Sequence, residues 1–363
     1  MTEPSKNSKT KDTQPGHEPS QIKPSFWEER FKVSAFLYPI PRQANTLTYS
    51  LGGVTFFAFL VLIASGIILA QFYDPRLATA HQSIDYIMRE ATLGWFVRGI
   101  HYWSAQLLFV LLLLHMSRVI ITAAYKRPRE FTYYFGLILF LLMTVMVMTG
   151  TALKWDQEGF EALEHFTAIG TFLGNPADFF STEFTDNTEL LTRIFSLHTS
   201  VLPLLLVLVL AVHIYLVKAL KISPHPMQTD QEQDHGEAGE TFGGHMIILL
   251  KLGFGFLAIV TILALFVSPP LGPEPMPGES GVRPWWMFLW MYYVENQVGS
   301  VSGAVYAGAI IGLSLAAIPL LDRGTERNPF KRPIMIPVLI LYIAVIAMSF
   351  GGYFGEAALH FQG

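Results

Sequence analysis

Four histidines lie within long apolar stretches of the sequence: His101 and His115 in one, His198 and His213 in another. An ionisable side chain at membrane depth is costly, and such residues are functional by default. Imidazole nitrogen is also a strong ligand for iron. The first pair is 14 residues apart and the second 15. On a helix rising ~1.5 Å per residue either spacing spans ~21–23 Å, which sets two sites at different depths. At ~100° per residue, 14 steps return within ~40° of the start and 15 overshoot by ~60°, so each pair keeps broadly to one face. Pro203, between His198 and His213, can loosen the winding and help the longer spacing fit. Two parallel helices so equipped would set His101 opposite His198 and His115 opposite His213. Each couple offers two axial imidazoles and leaves no open position, as suits a low-spin haem iron that passes electrons. One intramembrane histidine is readily explained by a hydrogen bond to the next helix; four at matched depths are not.

The elements that must position these residues are membrane spans. The chain has 363 residues, 52% hydrophobic and only 14% charged. Soluble domains carry ~25% charged residues, and the net charge of −4 gives no reason to expect a nucleic-acid partner. Cysteine is absent, which excludes disulfides, thiolate-held clusters and thioether-linked haem within this chain. Seven apolar stretches, near 47–72, 99–123, 132–153, 194–219, 246–267, 301–320 and 333–352, each approach the ~20 residues that cross a bilayer. Backbone groups in lipid must pair within the segment, so the expected fold is all-α and integral to the membrane.

The second and fourth stretches carry the histidines and should run in the same direction. Of the 24 basic residues, all but Arg76, Arg89, Arg98, Lys154, Arg193 and Arg283 fall on the side of the N-terminus. The positive-inside rule then places the N-terminus in the cytoplasm and, after seven spans, the C-terminus outside. The expected organisation is a tail and interfacial helix (1–45, with Phe26–Phe31 amphipathic) and a four-helix di-haem unit (46–222). A polar linker (223–244), a three-helix unit (245–355) and a C-terminal tail (356–363) follow. No cleavable signal peptide is expected, because the first 45 residues lack an apolar segment.

Glycine gives independent support. Gly52 and Gly66 in the first stretch, and Gly136 and Gly150 in the third, are each 14 residues apart, the repeat of the histidine levels. A flat macrocycle between the histidine helices would press on these neighbours, where a residue without Cβ permits close approach. Arg98 and Arg118, each three residues from a histidine, are placed to pair with haem propionates or to snorkel to the interface.

Several runs carry a family likeness. They are Tyr49-Ser50-Leu51-Gly52-Gly53, Gly94-Trp95-Phe96-Val97-Arg98-Gly99-Ile100-His101, Lys126-Arg127-Pro128-Arg129-Glu130, Trp155-Asp156-Gln157, Leu191-Thr192-Arg193-Ile194-Phe195-Ser196-Leu197-His198-Thr199 and Asn328-Pro329-Phe330-Lys331-Arg332-Pro333. Over about 45–355 the chain resembles the cytochrome b subunit of Rieske/cytochrome b quinol oxidoreductases. It is most similar to the photosynthetic bf type, in which the four-helix cytochrome and three-helix subunit IV are separate chains. The longer spacing from His198 to His213 favours that type over the respiratory bc type.

The resemblance implies two non-covalent b-type haems: a low-potential one on His101 and His198 near an outer quinol-oxidation site, and a high-potential one on His115 and His213 near an inner quinone-reduction site. It further implies menaquinone or ubiquinone as substrate, a Rieske iron–sulfur subunit and a c-type cytochrome as partners, and a homodimer in a bacterial-type plasma membrane.

Three positions depart from the family pattern. Ser50 stands where the bf type carries a cysteine that anchors an extra haem, so a further haem there would have to be held without a covalent bond. Lys154 replaces a proline before Trp155. The Pro-Glu-Trp-Tyr run of the outer quinol site reads Pro284-Trp285-Trp286-Met287, and Trp285 cannot accept the proton that the family's glutamate takes. Among Glu274, Glu279 and Glu295, Glu295 is the expected replacement; unimpaired quinol oxidation after substituting all three would refute that. Two other readings remain at this point: a transmembrane di-haem wire to a non-Rieske partner such as a multihaem cytochrome, and a haem-free proton-relay transporter or structural subunit.

Overall fold

The computed structural model describes residues 30, 40–173, 179, 185, 187–223, 226, 241–276 and 282–355. The Phe26–Phe31 helix (apart from Arg30), most of the 223–244 linker, Glu279 and the 356–363 tail lie outside the described residues. Among the described residues there are ten helices of seven residues or more once the fourth span is counted as one. They are α1 (Leu47–Leu69), α2 (Ala80–Arg89), α3 (Gly94–Ile121), α4 (Glu130–Ala152), α5 (Gln157–Leu173), α6 (Leu190–Leu220), α7 (Phe242–Phe266), α8 (Leu289–Val298), α9 (Val301–Leu321) and α10 (Met335–Phe354). Seven of them, α1, α3, α4, α6, α7, α9 and α10, are long and apolar enough to cross a membrane. Their positions match the seven expected stretches; α3 begins five residues earlier than expected, and α6 and α7 four. The chain is an all-helical multi-pass membrane protein.

The packing leaves a slot where the histidines need one. Helix α1 packs along α3 and α4 packs along α6, whereas α3 and α6 barely approach each other. Helix α7 lies against α3 and α1, where Gly99 admits Ala264 and Gly253 admits the ring of Phe57. A Cβ at Gly253 would come within 2.6 Å of that ring, so the contact depends on the missing side chain.

The loops meet in the order that alternating spans require. At the end reached by α3 and α9, Lys126 Nζ donates to Asp322 Oδ1 at 2.7 Å and Tyr125 donates to Asp322 Oδ2 at 2.5 Å. Arg332 and Arg327 donate to the carbonyls of Ile120 and Ala123 at 2.8 and 3.0 Å. At the opposite end α5 captures the chain between α7 and α8. Asp156 Oδ2 accepts from the Gly272 N–H, Gln157 Oε1 from Met276 and Glu161 Oε1 from Val282. Both connections tie the first four spans to the last three.

The longer histidine spacing has a local explanation. Helix α6 contains a π-helical turn at Leu197–Val201, closed by the Leu202 N–H on the Leu197 carbonyl. A π turn takes up one residue more than an α turn, so it absorbs the fifteenth residue beside His198 itself. Pro203 contributes by lacking the N–H that the Thr199 carbonyl would otherwise accept from.

Candidate functional site

His101 on α3 and His198 on α6 face each other across the slot, with ring centroids 6.5 Å apart and planes inclined at 66°. Two imidazole–metal bonds of ~2.0–2.1 Å plus the two ring radii give a centroid separation of ~6.3 Å, so one six-coordinate iron fits between them. A cavity of about 410 Å³ opens at this level, lined by both histidines, Gly66, Gly150, Arg98 and Trp285.

The tautomer of both rings follows from their neighbours. Ser65 Oγ donates to the Val61 carbonyl at 2.7 Å, and Thr149 Oγ1 donates to that of Val145 at 2.9 Å. Each hydroxyl has one proton, now used, so towards the rings they accept. His101 Nδ1–H donates to Ser65 Oγ at 3.0 Å and His198 Nδ1–H to Thr149 Oγ1 at 2.9 Å. Both Nε2 lone pairs are left bare and aimed into the slot, the state a metal needs. At the other level, His115 Nδ1 and His213 Nδ1 are buried with no hydrogen-bond partner.

Each of the four glycines faces one of the four histidines. Each lies against an imidazole and not simply against the space between the helices. A Cβ built at Gly52 would lie 3.0 Å from His115 Cε1, at Gly66 3.2 Å from His101, at Gly136 3.4 Å from His213 and at Gly150 3.0 Å from His198. Each glycine therefore leaves room for one imidazole. Ser65 and Thr149, which sequence reasoning missed, immediately precede Gly66 and Gly150. A hydroxyl before the outer glycine of both helices was the available signal.

Of the two arginines, Arg98 is buried and donates to the carbonyls of Pro269 at 3.1 Å and Pro270 at 2.9 Å, while still bordering the cavity. It anchors the start of the long connection between α7 and α8. Arg118 lies over the Tyr49 ring at 4.4 Å, and its buried Nε has no hydrogen-bond partner. That orphaned donor fits an anionic group such as a propionate. Ser50 is buried and its hydroxyl bonds the Ala44 carbonyl at 3.3 Å.

The outer connection brings the departures from the family pattern together. Trp285 packs on Tyr102 at 5.0 Å between centroids, and Trp286 Nε1 donates to Gln106 Oε1 at 2.8 Å. Lys154 borders the same cavity and bridges Asp156 at 3.1 Å and Glu158 at 2.5 Å. Glu295 lies further along α8, 2% exposed, with Oε2 2.9 Å from His165 Nε2 and Oε1 unpartnered. His165 Nδ1 must donate to the Glu161 carbonyl at 2.7 Å, so one proton is shared between Nε2 and Glu295. Burial disfavours the imidazolium, but the hydrogen bond and charge of Glu295 outweigh it and raise the His165 pKa. Glu274 is largely exposed, 3.8 Å from His81, and takes no part in the pocket.

Fold and site together define a membrane-embedded electron carrier with two bis-imidazole sites stacked through the bilayer. The family model described as cytochrome b/b6/petB matches residues 37–221, and the chain belongs to that family. Cytochrome b6 of Gracilaria tenuistipitata var. liui is 36% identical over 207 residues, which cover 54% of this chain and 96% of that protein. A solved structure entitled "Hyperthermophilic respiratory Complex III" superposes with a TM-score of 0.77 over 92% of this chain and 93% of the other. At 24% identity that likeness speaks for the fold, and it extends through the last three spans. The protein is an electron-transport cytochrome b, and its family is one of b-type haem proteins.

Proposed function

We propose that this chain is the di-haem cytochrome b subunit of a quinol oxidoreductase complex, with residues 46–222 forming the haem unit and 245–355 the three-helix unit. The facing of His101 and His198 at 6.5 Å, with both Nε2 atoms freed by Ser65 and Thr149, carries the reading. His101 with His198, and His115 with His213, would hold the two haems, which when bound supply reversible one-electron chemistry at two depths. Gly52, Gly66, Gly136 and Gly150 seat the ligands, Arg118 neutralises an inner propionate, and Arg98 holds the outer connection against the pocket. Ser50, engaged by Ala44, serves the packing of the helix start, so a third haem there would need other ligands.

The basic residues gathered at one end support a cytoplasmic N-terminus in a bacterial-type plasma membrane, with the C-terminus outside. On the outer face Trp285 and Trp286 would flank the quinol site, beside and not within the cavity of the outer haem, and Glu295 accepts protons leaving it. Menaquinone or ubiquinone is the substrate class, and a Rieske iron–sulfur subunit and a c-type cytochrome are the partners of a homodimeric complex.

The test is the intact complex purified from its own membrane. It should contain two b-type haems per chain, both reducible by quinol, and an iron–sulfur subunit. Absence of the b-type absorption band in reduced-minus-oxidised spectra would refute the reading. A multihaem cytochrome in place of the iron–sulfur subunit would favour a simple transmembrane wire.

A further inference from the structure

We propose that Glu158 is the proton acceptor for quinol at the outer pocket, replacing the carboxylate that Trp285 displaces, and that α5 carries the proton onward to the His165–Glu295 pair. This rests on the quinol-oxidising reading above. Two departures from the family pattern, Trp285 and Lys154, are far apart in sequence but meet here. Both border the edge of the cavity that the outer haem would fill, and Glu158 lies beside that edge, outside the cavity's lining. Lys154 Nζ holds Glu158 Oε2 at 2.5 Å, and the Glu158 carboxyl feels the backbone N–H of Trp285. Oε1 of Glu158 is buried and makes no hydrogen bond of its own. An unpartnered buried carboxylate oxygen is costly unless it is used. A fixed cation at Oε2 and an unpartnered Oε1 leave this carboxylate one buried oxygen free to receive a proton.

Its environment suits that task. Burial raises the Glu158 carboxyl above its ordinary value and Asp156 adds to this, while Lys154 and the Trp285 amide work the other way. A base is most effective when its pKa moves towards the working pH. The groups facing it are Lys154 and Asp156 from the turn before α5 and Tyr102 from α3.

The route outward lies on one helix face. Glu158, Glu161 and His165 are spaced i, i+3 and i+7, which on α5 stacks them in steps of ~4.5 and ~6 Å. Glu161 is buried against the outer connection, and the side chain of His165, 23% exposed, reaches the surface. The chemistry is proton transfer only. The O–H bond of a quinol hydroxyl breaks as an O–H bond forms at Glu158 Oε1. That proton then passes outward to the proton-sharing His165–Glu295 pair and to water, while the electrons leave through the complex's iron centres.

The experiment uses the intact complex and follows quinol oxidation, haem spectra and redox-induced infrared difference spectra. E158Q should lose about 100-fold or more in turnover, within the ~10²–10⁴ expected of a general base, with both haem spectra unchanged. W285E in the E158Q background should recover turnover by restoring a carboxylate at the pocket. In the wild type, quinol oxidation should produce a protonated glutamate carboxyl band that shifts in E158D. Wild-type turnover in E158Q, or no such band in the wild type, would overturn the assignment of Glu158 and leave the cytochrome reading intact. A wild-type complex that binds both haems but oxidises no quinol would overturn both.

Discussion

Alanine placed at the four ligand-seating glycines should cost haem binding in a graded order set by clearance. A Cβ would stand 3.0 Å from the imidazole at Gly52 and Gly150, 3.2 Å at Gly66 and 3.4 Å at Gly136. Carbon atoms prefer ~3.5–4.0 Å, so the first two require the ring to retreat by ~0.5 Å or more, the third by ~0.3 Å and the last by almost nothing. With its Nε2 held by a haem iron, the imidazole could not simply rotate away. Overpacking of this kind costs ~1–3 kcal/mol, and ~1.4 kcal/mol is a factor of ten in occupancy. G52A and G150A should therefore lose roughly tenfold in haem affinity, each at its own level, G66A less and G136A little. Alanine is also the better helix former by ~1 kcal/mol, so any loss appears against an opposing gain. The assay is haem stoichiometry and level-resolved redox titration of the purified complex. Equal effects at Gly136 and Gly150, or loss of the inner haem from G150A, would show that the glycines do not act on the imidazoles they face.

Three further outcomes are expected. Removing the Nδ1 acceptors of the outer ligands, in S65A or T149A, makes the imidazole a weaker donor and should raise the outer haem's midpoint by tens of mV, taking a hydrogen bond as ~1 kcal/mol and ~59 mV as tenfold for one electron. Potentiometric titration checks this, and an equal shift at the inner haem would contradict it. The Lys126–Asp322 pair is buried, and D322A would strand Lys126 and Tyr125 at a loss of ~3–5 kcal/mol. The haem-monitored melting temperature should fall, and replacing both partners by apolar residues should restore most of it. The raised pKa of His165 means the folded protein holds that proton more tightly than the unfolded chain. Its stabilisation is complete below the ordinary histidine value of 6.5 and fades as pH rises through the raised value. Melting against pH should therefore fall across that window in the wild type and flatten in H165Q; a wild-type profile that rises there would contradict the shared proton.

The sequence by itself determined what depends on one-dimensional period. Seven apolar lengths gave seven spans because a bilayer fixes the length of a helix that crosses it. Residue spacing along α3 and α6 put His101, His115, His198 and His213 at two levels, and the glycine repeat on α1 and α4 registered with them. Tertiary structure decided everything that depends on which faces meet. The imidazole that each glycine faces, at 3.0–3.4 Å from a Cβ built there, was not legible, because side-chain direction on two separate helices cannot be read from either one. The fifteenth residue of the longer spacing went into a π turn at Leu197–Val201, a local hydrogen-bond choice that a helical wheel averages away. Glu158 and His165 were invisible as a site because acidic residues on an amphipathic helix ordinarily face water. Lys154 meets the Glu158 carboxyl through local i,i+4 spacing, but only the fold of the α7–α8 connection onto α5 buries them and brings Trp285 beside it. The histidine ladder was legible because periodicity encodes depth; the proton path was not, because burial is a property of the assembled chain.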